Sequence, residues 1–140
     1  MINALLRAKL GLETILIVDD DAGVRSIVKR TLVDAGYRIA EAGSGEEALT
    51  CIERQPIHLV VTDMAMPGMD GRQLSEHLRK TFPDVPIIFM SGDARPERTP
   101  LGPWLSKPFT GEQLVSTVRA VLQTRSSGPV YAPKRDSSVA

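Results

Sequence analysis

Leu59-Val60-Val61-Thr62-Asp63-Met64-Ala65-Met66-Pro67-Gly68-Met69-Asp70-Gly71 is an apolar run that stops at a carboxylate and then turns. Leu59, Val60 and Val61 show no polar alternation, which suits a strand buried on both faces of a parallel sheet. Pro67-Gly68 and Asp70-Gly71 force a turn. Asp63 is therefore expected at the carboxyl end of a central strand, the edge where open α/β sheets hold their ligands. Alone, such an Asp is more often a helix cap or turn former than a reactive group. Its meaning depends on the strands around it.

Before this stretch, Ser44-Gly45-Glu46-Glu47 has the form of a capping box opening a helix, with Ala48, Leu49 and Ile52 inward and Gln55-Pro56 as its end. Further back, Thr14 to Val18 is a β-branched strand followed at once by Asp19, Asp20 and Asp21. A helix starts there, with Val24, Ile27, Val28, Thr31 and Leu32 as one stripe and Gly36 as its stop. A short strand, Tyr37 to Ala40, joins the two helices. After the central stretch come a helix over Arg72 to Lys80, with Leu74 and Leu78 inward, and a buried strand over Val85 to Met90. Ser91-Gly92-Asp93 ends that strand.

The regular alternation then breaks. Pro96, Pro100, Gly102 and Pro103 crowd the next connection, and a proline inside a helix costs about 3 kcal/mol. A full fourth helix is not expected there. Trp104-Leu105-Ser106 is a brief strand leading into Lys107-Pro108-Phe109. Thr110-Gly111-Glu112-Gln113 caps a last helix with Leu114, Val118 and Leu122 on its inner side. Strands alternating with helices through short loops imply a parallel sheet covered on both faces, with the first and third strands near its centre.

Composition narrows the possibilities. A chain of 140 residues, 42% of them apolar, is sized for one domain with a proper core. Seventeen basic residues balance seventeen acidic ones, so no general field draws it to nucleic acid or to an anionic membrane. The single cysteine, Cys51, reads as packing, and His58 and His77 are assigned no chemistry. The apolar runs are strand-sized and Arg7 and Lys9 interrupt the start, so a cytoplasmic protein is expected. The expected organisation is an amphipathic extension over 1–13, a domain over 14–123 and a flexible tail over 124–140.

Asp19 and Asp20 follow the first strand, Asp63 ends the third, Ser91 the fourth and Lys107 the fifth. In a parallel sheet these groups share one edge and converge on one crevice. Singly, each has a plainer role as a cap, a turn residue or a surface charge. Two carboxylates about 4 Å apart repel by about 4 kcal/mol at an effective dielectric of 20, so three together call for a compensating cation. Oxygen-only ligands favour magnesium. Asp63 then has the character of a nucleophile toward phosphorus, with Lys107 and Ser91 holding the remaining phosphoryl oxygens.

Taken together, ILIVDDD, VVTDMAMPGMDG, IIFMSG and LSKPF resemble the receiver domain of bacterial two-component response regulators, over roughly residues 13 to 123. The resemblance implies a flavodoxin-like, doubly wound five-stranded sheet of order 2-1-3-4-5, here with its fourth helix shortened or absent. It implies Asp63 as the phosphoacceptor, taking its phosphoryl group from a sensor histidine kinase or a histidine phosphotransfer protein. Asp20 and Asp63 match direct Mg2+ ligands, Asp19 a ligand acting mainly through water, and the Ala65 backbone carbonyl a third ligand position. Ser91 matches the switch hydroxyl, Lys107 the site lysine, with a bond to Pro108 that is usually cis, and Trp104 the switch aromatic. Ala65 and Asp93 lie where the family tunes dephosphorylation. The expected partners are that phosphodonor and an unspecified downstream protein, with no nucleic acid, no membrane, and a monomer or weak dimer. A module working through fixed contacts, independent of phosphorylation, is the alternative. A hydrolase is disfavoured by Ala65, which stands where such phosphatases need a second carboxylate.

Overall fold

The computed structural model describes residues 6, 10–93 and 102–124. Among the described residues, five strands and four helices run in the order β1 (Thr14–Val18), α1 (Ala22–Asp34), β2 (Arg38–Ala42), α2 (Gly45–Arg54), β3 (Leu59–Asp63), α3 (Gly71–Thr81), β4 (Ile87–Ser91), β5 (Trp104–Ser106) and α4 (Gly111–Gln123). All strand pairs are parallel and the order is β2-β1-β3-β4-β5. This is the doubly wound, flavodoxin-like sheet expected from the sequence. The expectation of a short or missing fourth helix falls on residues 94–101 and lies outside the described residues, as do most of 1–13 and the tail from 125 onward.

Side chains along a strand point to alternate faces, and the two faces feed two apolar layers. Ile15, Ile17, Leu59, Val61, Ile88 and Met90 pack with α1 and α4 through Val28, Leu32, Leu114, Val118 and Leu122. Leu16, Val18, Val60, Ile87 and Phe89 pack on the other side with Ala48 and Ile52 of α2 and Leu74 and Leu78 of α3. Every residue of β3 and β4 is buried, which is why neither strand alternates. Each fully buried Leu or Ile contributes about 1.5–3 kcal/mol.

Local chemistry sets the helix ends. Asp21 caps α1 by accepting from the Gly23 and Val24 N–H groups. Asp70 and Thr110 form reciprocal capping boxes with Gln73 and Gln113. At α2 the Ser44 hydroxyl accepts from the Glu47 N–H at 3.1 Å, while the Glu47 carboxylate accepts from Gly43 at 2.7 Å, one residue further back than a capping box requires. Gly36 adopts φ 106° after α1, the left-handed stop that glycine supplies.

Three details differ from the sequence reading. β2 runs to Ala42 and β4 spans Ile87–Ser91, because the ladders with β1 and β5 carry the pairing past the carboxyl ends of the apolar runs, while Pro86 has no N–H to pair at the start of β4. Ile27 is 69% exposed. Val28 and Leu32 already fill the space beneath α1, and Ile27 lies about 100° round the helix from Val28. Leu6, Leu10 and Leu12 are exposed as well. Cys51 is half-buried against the second apolar layer, and burial pushes its thiol up, in keeping with a packing role. His58 accepts from the Thr14 N–H at 3.0 Å through Nδ1 and joins β1 to the start of β3.

Candidate functional site

The carboxyl edge of the sheet gathers the polar groups that follow each strand. Val18 lies opposite Thr62, and Asp63 opposite Met90, in the ladders that join β1, β3 and β4. Asp19 and Asp63 therefore emerge side by side. One carboxylate oxygen from each of Asp19, Asp20 and Asp63 lies within 4.8 Å of the others. Asp19 and Asp63 are 1% and 7% exposed, whereas Asp20 faces solvent. The plainer reading of the acidic run, a helix cap, applies to Asp21 alone.

The lysine meets the same cluster. Lys107 Nζ stands 3.3 Å from Asp63 Oδ1 and 3.6 Å from Asp19 Oδ2. Its backbone N–H donates to the Ser91 carbonyl at 2.7 Å, which ties the start of this loop to the end of β4. The peptide bond to Pro108 is cis. Ser91 is buried at the end of β4, and its hydroxyl oxygen accepts from the Asp93 N–H at 3.0 Å. That acceptor role leaves the hydroxyl proton available for another oxygen.

Asp19 bears the electrostatic cost of the cluster. Burial pushes its carboxyl above the ordinary value of 3.8, the charges of Asp63 and Asp20 push it further, and the Asp21 N–H and Lys107 oppose the rise. Its Oδ1 accepts from Asp21 at 2.9 Å, while Oδ2 is buried and accepts no hydrogen bond. One ammonium faces three carboxylates. A buried oxygen without a hydrogen-bond donor, in a set made only of oxygens, fits a hard divalent cation such as Mg2+.

The backbone around Asp63 is tightly placed. Gly71 opens α3, and its N–H donates to the Met64 carbonyl at 3.0 Å. A Cβ there would stand 2.5 Å from the Asp63 carbonyl oxygen and 2.9 Å from Met64 Cα. Only glycine lets α3 approach the end of β3 so closely. The sequence reading used Gly71 as a turn signal and missed this contact.

Ala65 is exposed beside the cluster, and Trp104 is half-buried at the start of β5. Trp104 packs against Phe89 with ring centroids 6.1 Å apart, and its indole Nε1 is buried without a hydrogen-bond partner. An open cleft of about 460 Å³ lies among Ala65, Met66, Ser91, Asp93 and Trp104. The sheet edge thus brings together Asp19, Asp20, Asp63 and Lys107, with Ser91 alongside. Trp104 lines the neighbouring cleft rather than the acidic cluster. Among the described residues no helix is long and apolar enough to cross a membrane.

A doubly wound parallel sheet with an acidic pocket at its strand ends defines the class. Within that class the chain belongs to the response regulator receiver domain family, whose model matches residues 15–119. Members of this family are signalling modules rather than classical enzymes. The sensor kinase CckA of Brucella abortus (strain 2308) is 41% identical over 122 residues, a stretch that covers 81% of this chain and 13% of that kinase. The chain thus spans a small part of that relative's length. Among solved structures, the chemotaxis protein CheY4 of Vibrio cholerae is 31% identical with a TM-score of 0.75, covering 79% of this chain and 98% of CheY4. The response regulator TrrA of Thermotoga maritima, solved in complex with Mg(2+)-BeF, is 31% identical with a TM-score of 0.74, covering 79% of this chain and 99% of TrrA.

Proposed function

We propose that the chain is the phosphoacceptor of a two-component phosphorelay, taking a phosphoryl group on Asp63 from the phosphohistidine of a sensor kinase or a histidine phosphotransfer protein. The observation that carries this reading is the meeting of three carboxylates and one lysine at the strand ends, with Lys107 Nζ 3.3 Å from Asp63 Oδ1. The Mg2+ complex of TrrA supports the choice of cation. Asp20 and Asp63 would hold Mg2+ directly, Asp19 through water, and the Ala65 carbonyl would complete the protein's share. Bound there, the ion supplies charge neutralisation for the incoming phosphoryl oxygens.

Asp63 attacks phosphorus through a carboxylate oxygen. A new O–P bond forms as the N–P bond to the donor imidazole breaks, and the bonding pair returns to that nitrogen. Lys107 transfers its ion pair from the Asp63 carboxylate to a phosphoryl oxygen. The Ser91 hydroxyl, already oriented by the Asp93 N–H, donates its proton in a hydrogen bond to another. Movement of Ser91 into that bond changes the cleft it shares with Trp104, so the two populations of the switch differ in how Trp104 is packed. Ala65 has no group to hold an attacking water, which leaves Asp93 as the side chain beside Ser91 able to assist hydrolysis.

Incubation of the protein with Mg2+ and a small phosphodonor, followed by intact mass measurement, tests this reading. The mass rises by one phosphoryl group, the rise requires Mg2+, and it is lost in Asp63→Asn. No gain, or an equal gain in the variant, contradicts the proposal.

A further inference from the structure

The loop that carries Asp19 and Asp20 is held by a side chain with no part in the chemistry above. Arg25 lies in the first turn of α1 and reaches back over the ends of β1 and β2. Its Nη1 donates to the Asp19 backbone carbonyl at 2.5 Å, and its Nε donates to the Glu41 carboxylate at 3.4 Å. Glu41 belongs to β2, lies opposite Ile17 in the ladder, and also pairs with Lys29 at 3.1 Å. The backbone after β2 closes over the guanidinium, because a Cβ at Gly43 would stand 3.4 Å from Nη1. Only 21% of the Arg25 side chain is exposed.

The bond to Asp19 matters through the peptide it fixes. The Asp19 N–H already donates to Ala42 at 3.1 Å, and Arg25 holds the carbonyl of the same residue. The Asp19 N–H belongs to the peptide before this residue and the carbonyl to the peptide shared with Asp20, so with both planes held the backbone at Asp19 is set, and with it the directions in which the Asp19 side chain and the chain to Asp20 leave its Cα. Glu41 restrains the guanidinium fork from its far side, which makes it a fixed donor rather than a mobile one.

On the reading of the site given above, we infer that Arg25 is a positioning residue for the cation pocket: its hydrogen bond to the Asp19 carbonyl aims Asp19 and Asp20 at the metal. The sign of its effect separates this role from a simple charge effect. A guanidinium near a cation site repels the cation, so if charge alone mattered, removing Arg25 would tighten Mg2+ binding. A positioning residue does the opposite.

The test uses the full chain, its Arg25→Met variant, which keeps the apolar stem and loses the donors, and Arg25→Lys, which keeps the charge and loses the fork. Titration with MgCl2 by calorimetry gives the affinity, and phosphorylation by a small donor at limiting and saturating Mg2+ separates binding from transfer. Arg25→Met weakens Mg2+ binding by about tenfold, the range known for groups that orient a metal's ligands. Its phosphorylation rate recovers substantially at saturating Mg2+, and Arg25→Lys falls between the variant and the wild type. Equal or tighter binding by Arg25→Met overturns the inference while leaving the phosphoacceptor reading intact. A wild type that neither binds Mg2+ nor gains a phosphoryl group overturns both. Should Arg25→Met fail to fold, Arg25→Lys carries the test, because it keeps the charge and loses only the fork, and it binds Mg2+ more weakly than the wild type. An unchanged or tighter affinity in Arg25→Lys then overturns the inference.

Discussion

The body of the sheet and its carboxyl rim are built from adjacent residues with opposite priorities. Leu16, Val60, Val61 and Ile88 are fully buried among apolar neighbours and paired in the ladder. Two or three residues later the chain presents Asp19, Asp63 and Ser91, also buried, but polar. Asp19 Oδ2 accepts no hydrogen bond, and Lys107 is the cation it shares with Asp63. The body stabilises the fold. The rim holds like charges together at a cost in stability, a pattern expected where a site is kept ready for a ligand.

Truncating the body has the largest effect on stability. Leu16→Ala destabilises the protein by about 2–5 kcal/mol, the range for a buried leucine that leaves a cavity. Urea unfolding measures it as a fall in midpoint with little change in slope. A smaller loss at the junction of body and rim sharpens the contrast. Gly71→Ala forces a Cβ against the Asp63 carbonyl and costs about 1–3 kcal/mol. Because the strain falls on the residue that carries Asp63, phosphorylation by a small donor slows as well.

The smallest change has the opposite sign. Asp19→Asn removes a buried like charge and stabilises the metal-free protein by about 1 kcal/mol at neutral pH. Burial raises the Asp19 carboxyl in the folded state above the ordinary 3.8, so the folded protein holds this proton to higher pH than the unfolded chain. The stability linked to that proton is fully present below about pH 4 and is lost as pH rises through the raised folded value. The variant's advantage in thermal melts is therefore greatest near neutrality and closes as pH falls toward 4. Added Mg2+ stabilises the wild type more than the variant.

Much of this contrast is legible in the sequence. Apolar runs that end at Asp19, Asp63 and Ser91 report strands buried on both faces, because water leaves no reason for alternation there. Thr110 and Gln113 announced a cap because the bonds involved are local. What escaped depends on distant parts of the chain. Arg25 looks like any basic residue on an amphipathic helix until β2 is placed beside it, and Ile27 looks like core until Val28 and Leu32 fill that space. Gly71 reads as a turn residue because its closeness to Asp63 is set by how α3 packs, not by its neighbours in sequence. The resemblance implies site residues; it carries no information on the backbone contacts around them.

The most direct measurement locates the modification. Protein phosphorylated in the presence of Mg2+ is treated with borohydride, which reduces an acyl phosphate to homoserine, and then digested for peptide mass spectrometry. The account predicts homoserine at position 63 and intact aspartate at positions 19 and 20. Homoserine at 19 or 20, or at none of the three in protein that has gained a phosphoryl mass, contradicts it.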